Sequence, residues 1–398
     1  MLKGLRAMFS AGERARIRAS IQDLVVNSFR EPSECKTKNG GHIAWGQFLE
    51  PAPEGQHGVY GTSAALQILH RLNEAHPYVE KGCAHMLEQF NDPNSRANRK
   101  RDFANTYKYC FFLDALEPSK SEINEPSFAK YCQGLIERQG KSAGWGEYHF
   151  SDKDADPPEP LSTCLVLLTL HRLKDFSHST GAKTALRWLM SQIEAKLNSL
   201  KDANYLEQYI ILLSLYCAVL QKYVHNQGDL IRPECHKTAV TQLGRTAHRA
   251  YSIGVKAQHH FSFGKEEKYI YFEADLILLW ALAETGRLLW YPLRSARVLG
   301  HYLKRFDRTS GYVPPGFTRK FTVDHLWLLK AIDSVDKVRI AVPWVWVISV
   351  FIIAFAAAYF AFQITASVEL QQRLVYSLAT GIIAGLIVAW LRKKIGWS

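Results

Sequence analysis

Along the first 335 or so residues apolar positions recur at spacings of three and four, and no stretch longer than a few residues alternates as a strand would. An all-α fold is therefore expected, with twelve helices near residues 10–28, 62–74, 77–91, 101–115, 126–139, 160–174, 179–197, 203–221, 236–253, 270–286, 290–306 and 320–334, or six pairs. After Lys337 the pattern changes. Ile340 to Ala366 carries no charge, and at about 1.5 Å per residue it exceeds a hydrocarbon core of about 30 Å. A second charge-free run, Leu374 to Leu391, follows a connector from Ser367 to Arg373 with one acid and one base. The two runs predict a C-terminal transmembrane hairpin, with Pro343 near the start of the first helix and Trp344, Trp346, Trp390 and Trp397 placed as interfacial anchors. Two domains follow: a helical domain over 1–339 and a hairpin with a short basic tail over 340–398.

Charge sets the expected orientation. Lys337 and Arg339 precede the first run, and Arg392, Lys393 and Lys394 follow the second, so both termini are expected in the cytoplasm and the chain in the inner (plasma) membrane. Gly381 and Gly385 form a G-x-x-x-G that lets a second helix approach closely, which predicts packing within the hairpin or a homo-oligomer. Of the net +12, the segment after Arg339 holds three and the helical domain nine, which favours polyanions or anionic lipid as neighbours. Seven cysteines without a C-x-x-C spacing, most of them in apolar helical patterns, argue against a disulfide framework or zinc ribbon and for a reducing compartment.

Two segments about a hundred residues apart repeat each other. Ala44-Trp45-Gly46-Gln47-Phe48 matches Gly144-Trp145-Gly146-Glu147-Tyr148, and the helix from Thr62 to His70-Arg71-Leu72 matches that from Thr163 to His171-Arg172-Leu173. Weaker copies appear at Phe263-Gly264 and Gly311-Tyr312, each ahead of an apolar helix. In each unit the tryptophan is expected to plug the gap between helix pairs and the glycine to supply a positive-φ corner. Internal repeats of helix pairs point to a helical array. At these residues the chain resembles the α/α toroid of terpenoid cyclases and protein prenyltransferase β subunits, over about residues 40–335.

That resemblance implies a mouth where the inner-helix N-termini gather, suited to an anionic ligand. Its candidates are Glu50, Glu54, His57, Tyr60, Asp102, Glu147, Asp152, Asp154, Asp156, Asp202, Glu273, Asp275, Asp324 and His325. The squalene-type cyclases would require a D-x-D-D proton donor, which Asp152-Lys153-Asp154-Ala155-Asp156 only approximates, beside Pro157 and Pro158 in a loop. No D-D-x-x-D occurs. Prenyltransferases would require a zinc set of Asp, Cys and His, and lanthionine cyclases a Cys with a Cys-His; Cys235-His236 is the sole Cys-His pair, and His259-His260 would diverge on a helix. No catalytic residue, metal or cofactor is assigned.

Basic surfaces offer the ligand-binding candidates. Arg294, Arg297, His301, Lys304 and Arg308 share one face of a helix whose Val298, Leu299 and Leu303 turn inward. Arg96, Arg99, Lys100 and Arg101 precede Phe103, Tyr107, Tyr109, Phe111 and Phe112, a basic-aromatic pattern suited to a nucleotide or a single-stranded oligonucleotide. The alternative for both is a solvated face or one that meets anionic lipid. A soluble sensor joined to two spans resembles the effectors of bacterial anti-phage systems, so the expected function is a ligand-gated, oligomeric membrane pore. The alternatives are a membrane-bound isoprenoid enzyme and a passive membrane scaffold.

Overall fold

The computed structural model describes residues 10–29, 58–73, 75–99, 102–120, 125–139, 143–147, 156–177, 179–201, 206–224, 233–253, 274–288, 292–307, 311–312, 322–338, 352–356 and 380–381, with 45, 49, 149 and 231 as single positions. The chain is all-α among these residues, apart from a two-residue antiparallel ribbon of β1 (Phe306–Asp307) and β2 (Gly311–Tyr312). The helices are α1 (Ala11–Asn27), α2 (Val59–Leu72), α3 (Pro77–Asn91), α4 (Arg96–Arg99), α5 (Thr106–Leu116), α6 (Glu125–Glu137), α7 (Pro160–Arg172), α8 (Thr180–Ser199), α9 (Leu206–Tyr223), α10 (Pro233–Ile253), α11 (Ala274–Glu284), α12 (Pro292–Arg305) and α13 (Thr322–Val338). Each of the twelve helices expected from the periodicity overlaps one of these, and the four-residue α4 is additional.

Local chemistry sets many of the helix starts. Ser10, Asn105, Glu159 and Ser179 accept a hydrogen bond from a backbone N–H of the first turn, at 3.3, 3.1, 2.9 and 3.2 Å, which satisfies donors that have no carbonyl partner inside the helix. Pro77 and Pro160 open α3 and α7, where a missing N–H costs nothing.

Two kinds of helix divide the work of making a core. On α2, α7, α9 and α11 almost every position is buried, as befits helices that are apolar all round. On α8 the buried set is Ala182, Ala185, Leu186, Leu189, Ile193 and Leu197, a single stripe at helical spacing, and the opposite face is polar. The inner helices pack in sequence order: α2 on α5, α5 on α7, α7 on α9, α9 on α11, α11 on α13, and α13 back on α2. The striped helices lie against them: α1 and α3 on α2, α6 on α5, α8 on α7, α10 on α9 and α12 on α11.

The return from last helix to first is held by charge. Arg14 of α1 donates from Nε to Asp336 of α13 at 2.6 Å, and its side chain is 0% exposed against 32% for Asp336. One turn along α1, Arg18 bridges Asp333, at 2.9 Å, and Asp336.

The tryptophan repeats do the same job twice. Trp45 donates its indole N–H to the Val25 carbonyl of α1 and Trp145 to the Leu135 carbonyl of α6, both at 2.8 Å, and both rings are buried. The backbone N–H of each reaches the hydroxyl of the matching threonine, Thr62 at 3.4 Å and Thr163 at 3.0 Å. The glycines differ from expectation. Among the described residues the glycine at positive φ is Gly286; Gly144 and Gly146 are instead required by close approach, since a Cβ on Gly146 would lie 2.4 Å from the Asp156 carbonyl oxygen.

The expected spans at 340–366 and 374–391 lie outside the described residues except for 352–356 and 380–381. Among the described residues no helix is long and apolar enough to cross a membrane. The large apolar side chains left exposed among them are Ile352, Ile353 and Phe355, at 62%, 67% and 77%.

Candidate functional site

The later turns of the six inner helices line one cavity of about 580 Å³. Arg71 comes from α2, Cys110, Phe111 and Asp114 from α5, His171 and Arg172 from α7, Lys222 from α9, Trp280 and Glu284 from α11, and Trp327, Lys330 and Asp333 from α13. That volume is typical of a small-molecule site. Helix C-termini carry partial negative charge, so a last-turn Arg or Lys is locally favourable there. His70-Arg71 and His171-Arg172 both occupy such last turns.

Among the described residues the wall holds five cations (Arg71, Arg172, Lys174, Lys222, Lys330) against three carboxylates (Asp114, Glu284, Asp333). Arg172 pairs with Asp114 at 2.6 Å, Lys222 with Glu284 at 2.5 Å and Arg71 with Asp333 at 3.3 Å. Lys174 is exposed. Lys330 is only 8% exposed and makes no ion pair among the described residues. Its ammonium sits 4.5 Å from the centroid of the Trp327 ring and 5.8 Å from that of Phe111. Burial, then the Arg172 and Arg71 guanidiniums, push the Lys330 amine well below its ordinary pKa, with Asp114 pulling the other way. Burial, then Arg172, lowers Arg71 in the same manner, opposed by Asp333 and Asp114. Buried Lys330 and the partly solvated Arg71 and Arg172 thus share the wall with two carboxylates, and an anion in the cavity would relieve their mutual repulsion.

Trp280 and Trp327 meet edge to face at 5.7 Å and give the cavity an apolar wall. His171 leans on Tyr223, whose hydroxyl donates to the Leu167 carbonyl at 2.9 Å. Among the described residues no three His, Cys, Asp or Glu side chains converge as a metal site would need. His236 instead shares a hydrogen bond of 3.0 Å with Gln221.

The residues expected from sequence fall elsewhere. Of the fourteen candidates for the N-terminal mouth, Glu50, Glu54, His57, Asp152, Asp154, Asp202 and Glu273 lie outside the described residues, and none of the other seven lines this cavity. Tyr60, Asp275, Asp324 and His325 are buried at or near the starts of α2, α11 and α13, and Asp102 pairs with Lys108. Glu147 is half-buried; burial, then Asp156 and Glu159, push its carboxyl up to about 7. Of the basic stripe, Arg294, Arg297, His301 and Lys304 belong to α12; Lys304 is exposed, the other three side chains are outside the described set, and Arg308 is wholly outside it. Leu299 and Leu303 are buried and Val298 half-buried, as the amphipathic pattern required. Arg96 and Arg99 belong to α4 with side chains outside the description, as are Lys100 and Arg101 entirely. The aromatic half of that second cluster is a correction: Phe103, Tyr107, Tyr109, Phe111 and Phe112 are all at most 4% exposed, and Phe103, Tyr109 and Phe112 join Phe90 and Tyr131 in a core cluster. Phe103, Tyr109 and Phe112 therefore have no face for a base to stack on, whereas Phe111 lines the cavity.

Sequence reasoning passed over Arg71, Arg172 and Lys330. The signal was present: the repeat carries His-Arg at the same place in both units, and Lys330 is a lone charge in the apolar run Leu326-Trp327-Leu328-Leu329-Lys330-Ala331-Ile332. Comparison with known proteins gives no family model that matches this chain and no curated protein that matches it significantly.

Proposed function

We propose that this chain is a membrane-attached ligand receptor: a cytoplasmic α/α toroid of six helix pairs that takes a small anionic ligand in its cavity and acts on a C-terminal two-span hairpin. The observation that carries this reading is the group of Arg71, Arg172 and Lys330 on the wall of a 580 Å³ cavity, one of them without a carboxylate partner among the described residues. The toroid is supported by the inner-helix packing that returns from α13 to α2. The hairpin is supported by the charge-free runs at 340–366 and 374–391 and by the exposure of Ile352, Ile353 and Phe355, which lipid would cover. Spans that meet at Gly381 and Gly385 would assemble a homo-oligomeric pore in the inner membrane, in the manner of an anti-phage effector.

The cavity supports a ligand site in the interior in place of the basic stripe of α12, and its size favours a nucleotide or a short oligonucleotide over a long strand. Titrating nucleotides and short oligonucleotides into the full-length protein in detergent tests this. Binding should be lost in the Arg172→Gln/Lys330→Met double variant and kept in the Arg294→Glu/Arg297→Glu/Lys304→Glu triple variant. The reverse pattern would return the site to α12.

The aromatic wall of Phe111, Trp280 and Trp327 favours a second reading, an enzyme acting on an isoprenoid. Against it, Asp114, Glu284 and Asp333 are each already held by a cation. Turnover of isoprenyl diphosphates by the purified protein would decide for it.

A further inference from the structure

We infer that Lys330 is a nucleophilic amine, and that the cavity captures small carbonyl compounds bearing a carboxylate or phosphate as an imine on its Nζ. The inference goes beyond the receptor reading and rests on it only for the negative charge of the ligand. A lysine in a protein interior is normally paired, as Lys222 is with Glu284 and Lys108 with Asp102. Lys330 has no such partner among the described residues, yet it opens on a cavity large enough for a ligand. Around its amine are the faces of Trp327 and Phe111, the guanidiniums of Arg71 and Arg172, and the Asp114 carboxylate, which is itself held by Arg172. The aromatic faces and Asp114 favour the ammonium, while burial and the two guanidiniums oppose it, and burial with the guanidiniums outweighs Asp114. Burial and the two guanidiniums thus give the Lys330 amine a larger neutral fraction than an exposed lysine has, and the neutral amine is the form that attacks a carbonyl.

The geometry also supplies the docking groups. Arg71 and Arg172 each use part of a five-donor guanidinium on Asp333 and Asp114, which leaves donors for a ligand carboxylate or phosphate near the amine. The Nζ lone pair forms the C–N bond as the carbonyl π pair moves to oxygen. Proton transfer from nitrogen to that oxygen gives the carbinolamine, and loss of water gives the imine. The step is reversible and needs no oxidant or reductant.

The test is reductive trapping in the full-length protein in detergent at neutral pH, with glyoxylate as the anionic aldehyde and glycolaldehyde as a neutral one of similar size. Borohydride fixes the imine, and peptide mass spectrometry locates it. Glyoxylate should label Lys330 at least about tenfold faster than the exposed Lys183, Lys201 and Lys304, because each pKa unit of depression raises the neutral fraction about tenfold. Arg172→Gln should slow labelling by both aldehydes, because it removes a charge that depresses the amine, but slow glyoxylate several-fold more, because it also removes the partner of the carboxylate, and Lys330→Arg should abolish the adduct while keeping a long basic side chain there. Adducts confined to exposed lysines in the wild type, with nucleotide binding intact, would overturn the amine and leave the anion reading standing. Equal labelling of Lys330 by both aldehydes, slowed equally by Arg172→Gln, would overturn the anionic ligand class and with it the receptor reading.

Discussion

The charge clasp that joins α1 to α13 makes an asymmetric prediction about stability. Arg14 is 0% exposed and Asp336 is 32% exposed, so the two partners stand to lose different amounts when the other is removed. Asp336→Ala takes a carboxylate from a guanidinium that cannot reach water, which costs about 3–5 kcal/mol. Arg14→Met fills the same interior volume with an apolar chain, while Asp336 keeps Arg18 and its partial hydration, so about 1 kcal/mol is expected. The double variant Arg14→Met/Asp336→Ala should be more stable than Asp336→Ala alone, because the buried guanidinium that lost its Asp336 carboxylate is gone. Urea unfolding of the full-length protein in detergent, followed by tryptophan fluorescence and compared at equal m-values, reads the cycle. Arg14→Met costing as much as Asp336→Ala, or costs that simply add in the double variant, would refute the reasoning that burial of Arg14 sets the asymmetry.

Other consequences are open to direct measurement. Trp145→Phe, which keeps most of the ring but strands the Leu135 carbonyl, should cost about 1–3 kcal/mol, and Trp145→Ala about 3–5 kcal/mol, by the same urea assay. Glu147 is raised from 4.5 to about 7, so the folded protein holds a proton there that the unfolded chain releases. Its contribution to stability is present below about pH 4.5 and is lost as pH rises through about 7, and Glu147→Gln should flatten that fall in a series of melting temperatures. Gly381→Leu/Gly385→Leu should preserve membrane insertion and ligand binding yet shrink the oligomer in detergent and remove depolarisation read by a voltage-sensitive dye.

The helices were legible because the core is built from period alone. Runs such as Tyr209 to Leu220 are apolar on every side and the stripe of α8 is apolar on one, so inner and outer helices announce themselves in the pattern. Trp45 and Trp145 were legible as repeat units because each makes the same two local bonds, to a threonine 17 or 18 residues ahead and to the helix before it. The glycine beside Trp145 was misread, since what it avoids is the Asp156 backbone, a contact that no local rule encodes. The cavity was not legible either. Arg71, Asp114, Arg172, Lys222, Glu284 and Lys330 lie roughly fifty residues apart in sequence and meet only because the packing returns from α13 to α2. The aromatics after Arg101 looked like a nucleic-acid surface because a basic cluster precedes them; burial assigns Phe103, Tyr109 and Phe112 to the core.

The most direct test of the account is an electron-microscopy structure of the full-length protein extracted from membranes and saturated with the nucleotide that binds best. The account predicts ligand density inside the cavity, its anionic group against Arg71, Arg172 and Lys330, and residues 340–391 within the detergent belt. Ligand density along the outer face of α12 with the cavity empty, or residues 340–391 packed outside the belt, would contradict it.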